Sequence, residues 1–347
     1  MFAGFASIFD ILIYDMQFGV IGSGSWATAL AKILTGNGNN IYWYIRNTDT
    51  INQLAQRRHN PHYLNSAFFN INLLELSSNV NYVIEKSDVL VIVIPSAYVH
   101  QSLSALNKDM FTGKKIISAI KGILPEKNQL LNEYLAENFN VPLENYFTVL
   151  GPCHAEEVAA EKLSYLTFSG LDTDVTKQLA ASFKTDFINT IVNTDILGVQ
   201  YAAVLKNIYA LGAGIAHGLE YGDNFLSVYI ANAANEMVRF LREVKHDASD
   251  VQLNYSASVY LGDLLVTCYS LYSRNRMLGN MIGKGYSVKA AQLELGMVAE
   301  GYNASKCIHI TNQALRVQIP IAEIVYKILW EQLQPAEGFA AIENLLV

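Results

Sequence analysis

Residues 18–46 constrain this chain more than any other stretch. A short apolar run, Phe18-Gly19-Val20-Ile21, meets the glycine cluster Gly22-Ser23-Gly24-Ser25-Trp26-Ala27. A helical pattern follows at once, with Leu30, Ile33 and Leu34 on one face. Ile41-Tyr42-Trp43-Tyr44-Ile45 then reads as a second strand. The result is a β-α-β unit with glycines at its first strand-to-helix turn. Gly22 permits the tight turn and Gly24 lets a pyrophosphate approach the backbone. Ala27 takes the third position, where a small residue lets the helix pack on the strand. The free N–H groups of the first helical turn, at the positive end of its dipole, suit phosphate. A G-x-G-x-x-A match alone is weak and can be a glycine turn with no ligand. Here strand, helix and second strand all fall where the motif needs them, so dinucleotide binding is expected.

The end of the second strand refines that expectation. An NAD-selective site places an acid there to hold the ribose 2′-hydroxyl. This chain has Arg46, followed by Asn47. A guanidinium suits a 2′-phosphate through bidentate, charge-assisted contacts, which favours NADPH. Arg46 also reads as a solvated strand-end residue, and Asp49 is close enough to keep NAD open as the cofactor.

The 347 residues allow two domains of ordinary size. With 51% hydrophobic and 16% charged residues, a large buried core is expected rather than disorder. A net charge of -7 argues against a nucleic-acid surface. Cys153, Cys268 and Cys307 are odd in number and widely spaced, giving neither a disulfide framework nor a metal-ligand pattern. A reducing, cytoplasmic setting is expected. Residues 1–15 are apolar but hold Asp10 and Asp15, and the first basic residue is Lys32. That leaves a signal peptide without its basic region, and the stretch is too short to span a bilayer. No membrane insertion is expected, and residues 1–16 read as a dispensable extension before the first strand.

Further along, residues 48–58 read as a helix, and His59-Asn60-Pro61 breaks it into a loop. Val89-Leu90-Val91-Ile92-Val93-Ile94 is a continuous apolar run suited to a central parallel strand. Ile116-Ile117-Ser118-Ala119-Ile120 and Tyr146-Phe147-Thr148-Val149-Leu150 follow, with further strands near residues 164–168 and 187–192. Strands alternating with helices specify a doubly wound α/β sheet over residues 17–192. Near Asn193 strands give way to long helical patterns, so an all-helical second domain is expected over residues 193–347. Its glycines, as in Leu211-Gly212-Ala213-Gly214, each cost a helix about 1 kcal/mol relative to alanine. Several together point to close helix-to-helix or helix-to-ligand approach.

Ligands of such sheets bind beyond the carboxyl ends of the strands. Pro95-Ser96, Lys121-Gly122 and Gly151-Pro152-Cys153-His154-Ala155 fall at such ends. The helical region adds Lys206-Asn207, Gly262-Asp263, Ser273-Arg274-Asn275-Arg276 and Val298-Ala299-Glu300-Gly301. Lys206 lies in the apolar segment Ala202-Ala203-Val204-Leu205-Lys206-Asn207-Ile208. It reads equally as a buried, paired lysine of movable pKa or as one snorkelling at a helix edge. Asp263 can be a helix cap, residues 273–276 a solvated turn, and Glu300 a surface charge.

Taken in order, these motifs resemble the bacterial-type NAD(P)-dependent glycerol-3-phosphate dehydrogenases. The resemblance runs from about Phe18 to about Glu331. It is carried by Gly22-Ser23-Gly24-Ser25-Trp26, His59-Asn60-Pro61, Lys121-Gly122, Gly151-Pro152 and Leu205-Lys206-Asn207. Gly218-Leu219-Glu220-Tyr221-Gly222-Asp223-Asn224, Leu261-Gly262-Asp263-Leu264, Ser273-Arg274-Asn275-Arg276 and Glu300-Gly301-Tyr302 complete it. It implies a Rossmann domain followed by a helical domain of the 6-phosphogluconate dehydrogenase C-terminal type. The implied reaction interconverts dihydroxyacetone phosphate and sn-glycerol 3-phosphate with NADPH or NADH, supplying phospholipid synthesis, in a homodimer.

By the same resemblance, Gly22, Gly24, Ser25, Trp26, Arg46, Lys121, Ala155, Arg274, Val298 and Glu300 are the cofactor contacts. Lys121, Gly151, Cys153, Asp263, Ser273, Arg274 and Asn275 are the substrate contacts. Lys206 is the catalytic acid/base, oriented by Asp263. Two departures stand out. Cys153 replaces the usual Ser or Thr, and a thiol is the weaker donor. Ala202-Ala203 replaces a Gly-Gly pair. A reductase of another small hydroxy acid, or a dinucleotide sensor without turnover, shares the same architecture.

Overall fold

The computed structural model describes residues 16–244 and 254–347. The extension expected at residues 1–16 therefore lies outside the described residues, except Met16, which packs against the first core.

Eight strands form one sheet in the order β3-β2-β1-β4-β5-β6-β7-β8. They are β1 (Phe18–Ile21), β2 (Ile41–Tyr44), β3 (Leu74–Ser77), β4 (Val89–Ile92), β5 (Lys115–Ser118), β6 (Tyr146–Leu150), β7 (Ser164–Ser169) and β8 (Ile188–Asn193). Pairing is parallel from β3 through β6, β7 runs antiparallel to β6, and β8 is parallel to β7. The central strands β1, β4 and β6 are buried at every position, as continuous apolar runs covered on both faces must be.

Strand β3 is an element the sequence patterns do not reveal. Its Leu-Glu-Leu-Ser segment has no fully buried residue, because it closes the edge of the sheet. The strand order reverses between β1 and β4, so the crevice expected to take a ligand opens at their carboxyl ends.

After β8 every described element is helical. The helix Ile196–Gly218 runs through the middle of the second core and is buried almost all round. It is long and apolar enough to cross a membrane by composition, yet 89% of its apolar window is covered by the rest of the fold. The helices Arg274–Gly283, Asp263–Tyr269, Glu300–Leu315 and Asp223–Val244 pack around it. The crossing with Arg274–Gly283 is made backbone to backbone. A Cβ on Gly214 would lie 2.1 Å from the Arg276 carbonyl oxygen, and one on Gly279 only 2.0 Å from that of Leu211. The helical glycines therefore serve close approach between helices.

Candidate active site

The glycine turn is held from behind. Gly22 has φ +133°, and a Cβ there would lie 2.4 Å from the Val93 carbonyl oxygen, so only glycine fits between β1 and β4. The Trp43 indole donates to the Gly22 carbonyl at 2.7 Å. Asn60, fully buried, donates to the Ser23 carbonyl at 3.2 Å and to Thr28 Oγ1 at 2.9 Å. The Thr28 hydroxyl in turn donates to the Gly24 carbonyl. The His59-Asn60-Pro61 loop thus acts as a brace for the turn, a role no pattern in the sequence announces.

On the other side the turn is open. A Cβ on Gly24 would meet nothing within 4 Å. No side chain caps the helix Ser25–Gly36, so its first N–H groups are left for a ligand. Trp26 Nε1 is buried with no partner among the described residues. These features fit a dinucleotide pyrophosphate. Arg46 is exposed just beyond β2, where it is free to meet a 2′-phosphate. Asp49 is also exposed, in the first turn of the helix Thr48–Arg57 that Asn47 caps.

Across the crevice, the helix Ile196–Gly218 presents Lys206. Its ammonium sits 2.5 Å from Asp263 Oδ1, and the two residues are 3% and 1% exposed. Lys206 is therefore the buried, paired lysine and not a snorkelling one. Burial pushes its amine down to about 8, the Asp263 charge draws it back up, and Lys121 pushes it down again. Asp263 opens the helix Asp263–Tyr269 directly after a π-helical turn, Ser258–Gly262. It does not serve as the cap, since its carboxylate faces the lysine.

Asp263 Oδ2 is buried without a partner among the described residues, as is His154 Nε2. A buried carboxylate oxygen without a donor is uncommon, and Oδ2 has the capacity to accept from a ligand. Burial, and then the charges of Lys121 and Lys206, push the His154 imidazole down to about 4. It is neutral at physiological pH and carries no charge into the pocket. Burial pushes the neighbouring Cys153 thiol up to about 12.

A chain of amides ties the site together. Asn207 Nδ2 donates to the Lys121 carbonyl, Asn275 Nδ2 donates to Asn207 Oδ1, and the Gly301 N–H donates to Asn275 Oδ1, each at 2.9 Å. Asn275 thus keeps only one amide hydrogen for a ligand. The Lys121 ammonium stands 5.3 Å from the centre of the Trp26 ring, next to the glycine turn.

Ser273 caps the helix Arg274–Gly283 by accepting from the Arg276 N–H, so its hydroxyl oxygen is already engaged. Residues 273–276 are the start of a helix and not a solvated turn. Arg274 is exposed and donates to the Val298 carbonyl at 3.2 Å. Glu300 is not a free surface charge: it accepts from the Ser96 N–H at 2.9 Å and from the Ser96 hydroxyl at 2.5 Å. That contact joins the loop after β4 to the helix Glu300–Leu315. Gly151 has φ +130° and lies against the Tyr165 carbonyl, and Ala155 is buried at the start of the helix Ala155–Ala159. The sequence singled out Ser96 and Asn207 only as members of motifs; that they pair with Glu300 and Asn275 is visible only in the fold.

A doubly wound sheet with an open glycine turn at its switch point, faced by a buried lysine–aspartate pair on a helical domain, defines a dinucleotide-dependent oxidoreductase. Comparison with known proteins makes this specific. Residues 17–176 match the family model "NAD-dependent glycerol-3-phosphate dehydrogenase N-terminus", and residues 195–340 match its "C-terminus" counterpart. The chain belongs to the NAD-dependent glycerol-3-phosphate dehydrogenase family. It is 31% identical to the glycerol-3-phosphate dehydrogenase (NAD(P)+) of Macrococcus caseolyticus, covering 95% of this chain and 98% of that one. It is 34% identical to the enzyme of the same name from Prosthecochloris aestuarii, over 92% of this chain and 94% of that one. The crystal structure of glycerol-3-phosphate dehydrogenase from Coxiella burnetii superposes with a TM-score of 0.85 at 26% identity, covering 94% and 98% of the two chains.

Proposed function

We propose that this chain interconverts dihydroxyacetone phosphate and sn-glycerol 3-phosphate, with NADPH or NADH as cofactor. The observation that carries this reading is the buried Lys206–Asp263 pair, with one carboxylate oxygen left over, facing the open glycine turn. A dinucleotide held on the turn of Gly22, Gly24, Ser25 and Trp26 would supply hydride chemistry for the ketone. Lys206 donates the proton to the developing alkoxide, and its charge stabilises that oxygen. Because burial holds its amine at about 8, it is mostly protonated at neutral pH yet gives up the proton more readily than a solvated lysine. Asp263 holds the ammonium with Oδ1 and keeps Oδ2 for a substrate hydroxyl. Lys121 and Arg274 supply positive charge for the phosphate, and Asn275 adds its remaining amide hydrogen.

Gly22, Gly24, Ser25 and Trp26 form the pyrophosphate turn, and Arg46 receives the 2′-phosphate of NADPH. Residues 17–192 make the cofactor domain and residues 193–347 the substrate domain. Three buried, unpaired cysteines support a reducing, cytoplasmic setting. A homodimer is the assembly this reading carries over from the resemblance. The deciding assay is oxidation of NADPH with dihydroxyacetone phosphate, run beside dihydroxyacetone without the phosphate. Turnover with the phosphate ester alone is expected. Equal rates on both, or turnover only with a hydroxy or keto acid, would overturn the substrate assignment.

A further inference from the structure

Asp195 stands where the sheet hands over to the helical domain. Strand β8 stops at Asn193, whose side-chain oxygen accepts from the Asp195 N–H at 3.1 Å. Asp195 is only 7% exposed, and both of its carboxylate oxygens are used. Oδ1 accepts from the Gly198 N–H at 3.1 Å and so caps the helix that carries Lys206. Oδ2 accepts from the Tyr260 hydroxyl at 2.6 Å. A Cβ on Gly198 would lie 2.1 Å from that Oδ2, so glycine is what lets the carboxylate reach both partners.

Tyr260, 2% exposed, lies inside the π-helical turn that ends at Gly262, one residue before Asp263. Such turns are rare and need outside support to persist. Here that support comes from the Tyr260 hydroxyl bond and from Tyr255, whose ring packs edge-on at 5.6 Å. One carboxylate therefore grips both elements that deliver the proton-donating pair.

We propose that Asp195 is a positioning residue for catalysis, setting the Lys206–Asp263 contact by capping the lysine's helix and anchoring, through Tyr260, the turn that aims the aspartate. This rests on the reading of Lys206 and Asp263 as the proton-donating pair. Neither Asp195 nor Tyr260 needs to touch substrate. Loss of the anchor lets Asp263 drift from Lys206, and the ammonium loses the charge that supports it.

The groups facing Lys206 are Asp263 and Cys268 on the helix Asp263–Tyr269, Lys121 after β5 and His154 after β6. Cys268 is pushed up to about 12 and His154 down to about 4 by burial, so neither titrates near Lys206.

The test is Tyr260→Phe, with Asp195→Asn, Asp195→Ala and Lys206→Ala alongside. Each is measured for kcat, for KM with dihydroxyacetone phosphate, for NADPH Kd and for the pH dependence of kcat. Tyr260→Phe is expected to lower kcat about tenfold with NADPH Kd unchanged. The alkaline limb of its profile should move to lower pH. Asp195→Asn keeps an oxygen for Gly198 and a polar partner for Tyr260, so it should retain more activity than Asp195→Ala. The proposal is overturned if Tyr260→Phe leaves both kcat and the limb in place while Lys206→Ala abolishes turnover. It is also overturned if kcat falls without any movement of the limb. Normal kcat in Lys206→Ala would instead sink the reading of the pair itself, and the proposal with it.

Discussion

At the scale of single residues, the site's behaviour follows from what burial does to ionisable groups. With Lys206 held at about 8, ketone reduction should lose rate as pH rises through that value, because the deprotonated amine has no proton to give. A pH–kcat profile in the reducing direction checks this, and a flat profile to pH ~10 would remove Lys206 from the proton step. Lys206→Ala should lower kcat by about 10²–10⁴-fold, the usual worth of a general acid, while NADPH binding persists. Arg46→Asp should shift preference from NADPH towards NADH; an unchanged ratio of the two kcat/KM values would show that the exposed guanidinium plays no part in selection. Cys153→Ser should stay active, and the wild-type thiol should alkylate slowly at neutral pH, because a group held near 12 is almost never a thiolate. The residues of the site were largely legible as letters. Lys206 stood out as a charge in an apolar run, but whether it was paired could not be read, since Asp263 lies far along the chain. Asn60 and Asn275 stabilise through partners in other elements, and local spacing carries no trace of such bonds.

At the scale of elements, the central strands were readable because burial on both faces forces unbroken apolar runs. Strand β3 was not, because a four-residue edge strand with no buried residue leaves no such mark. The close helix crossing was foreshadowed by the glycines but not located by them. Gly279→Ala should lower the melting temperature by several degrees, since a methyl group there meets backbone and overpacking costs about 1–3 kcal/mol; an unchanged melt would mean that the crossing can relax.

A second element carries a buried acid. Glu236 accepts from the Ile321 N–H at 2.7 Å and from the Ala322 N–H at 3.3 Å at the start of the helix Pro320–Trp330, and from the Tyr209 hydroxyl at 3.2 Å. Burial pushes its carboxyl up to about 7 against the backbone bonds that lower it. The folded protein thus holds this proton more tightly than the unfolded chain. The stability it contributes is full below about pH 4.5 and is lost as pH rises through about 7. Thermal melts from pH ~5 to ~8 should show that decline in the wild type and a shallower one in Glu236→Gln. Equal slopes would show that Glu236 stays charged throughout.

At the scale of the whole molecule, the glycine turn and the Lys206–Asp263 pair sit on different bodies, joined by the short span after β8 and by hydrogen bonds such as Asn207 to Lys121 and Ser96 to Glu300. The change from strands to helices after Asn193 was visible as a change of texture, because parallel strands and buried helices draw on different patterns. Contacts between the two bodies were not visible, since they join single residues far apart in the chain, as Ser96 and Glu300 are. The helix crossing has a mechanical consequence of its own. Where two helices touch backbone to backbone, no side chain stands between them to act as a bearing, so neither can roll or slide alone. Lys206 rides on one of these helices and Arg274 and Asn275 on the other. The spacing between Lys206 and the pair Arg274 and Asn275 is thereby fixed by backbone contact. Residues that share this crossing therefore keep one spacing, whatever happens at the seam with the sheet.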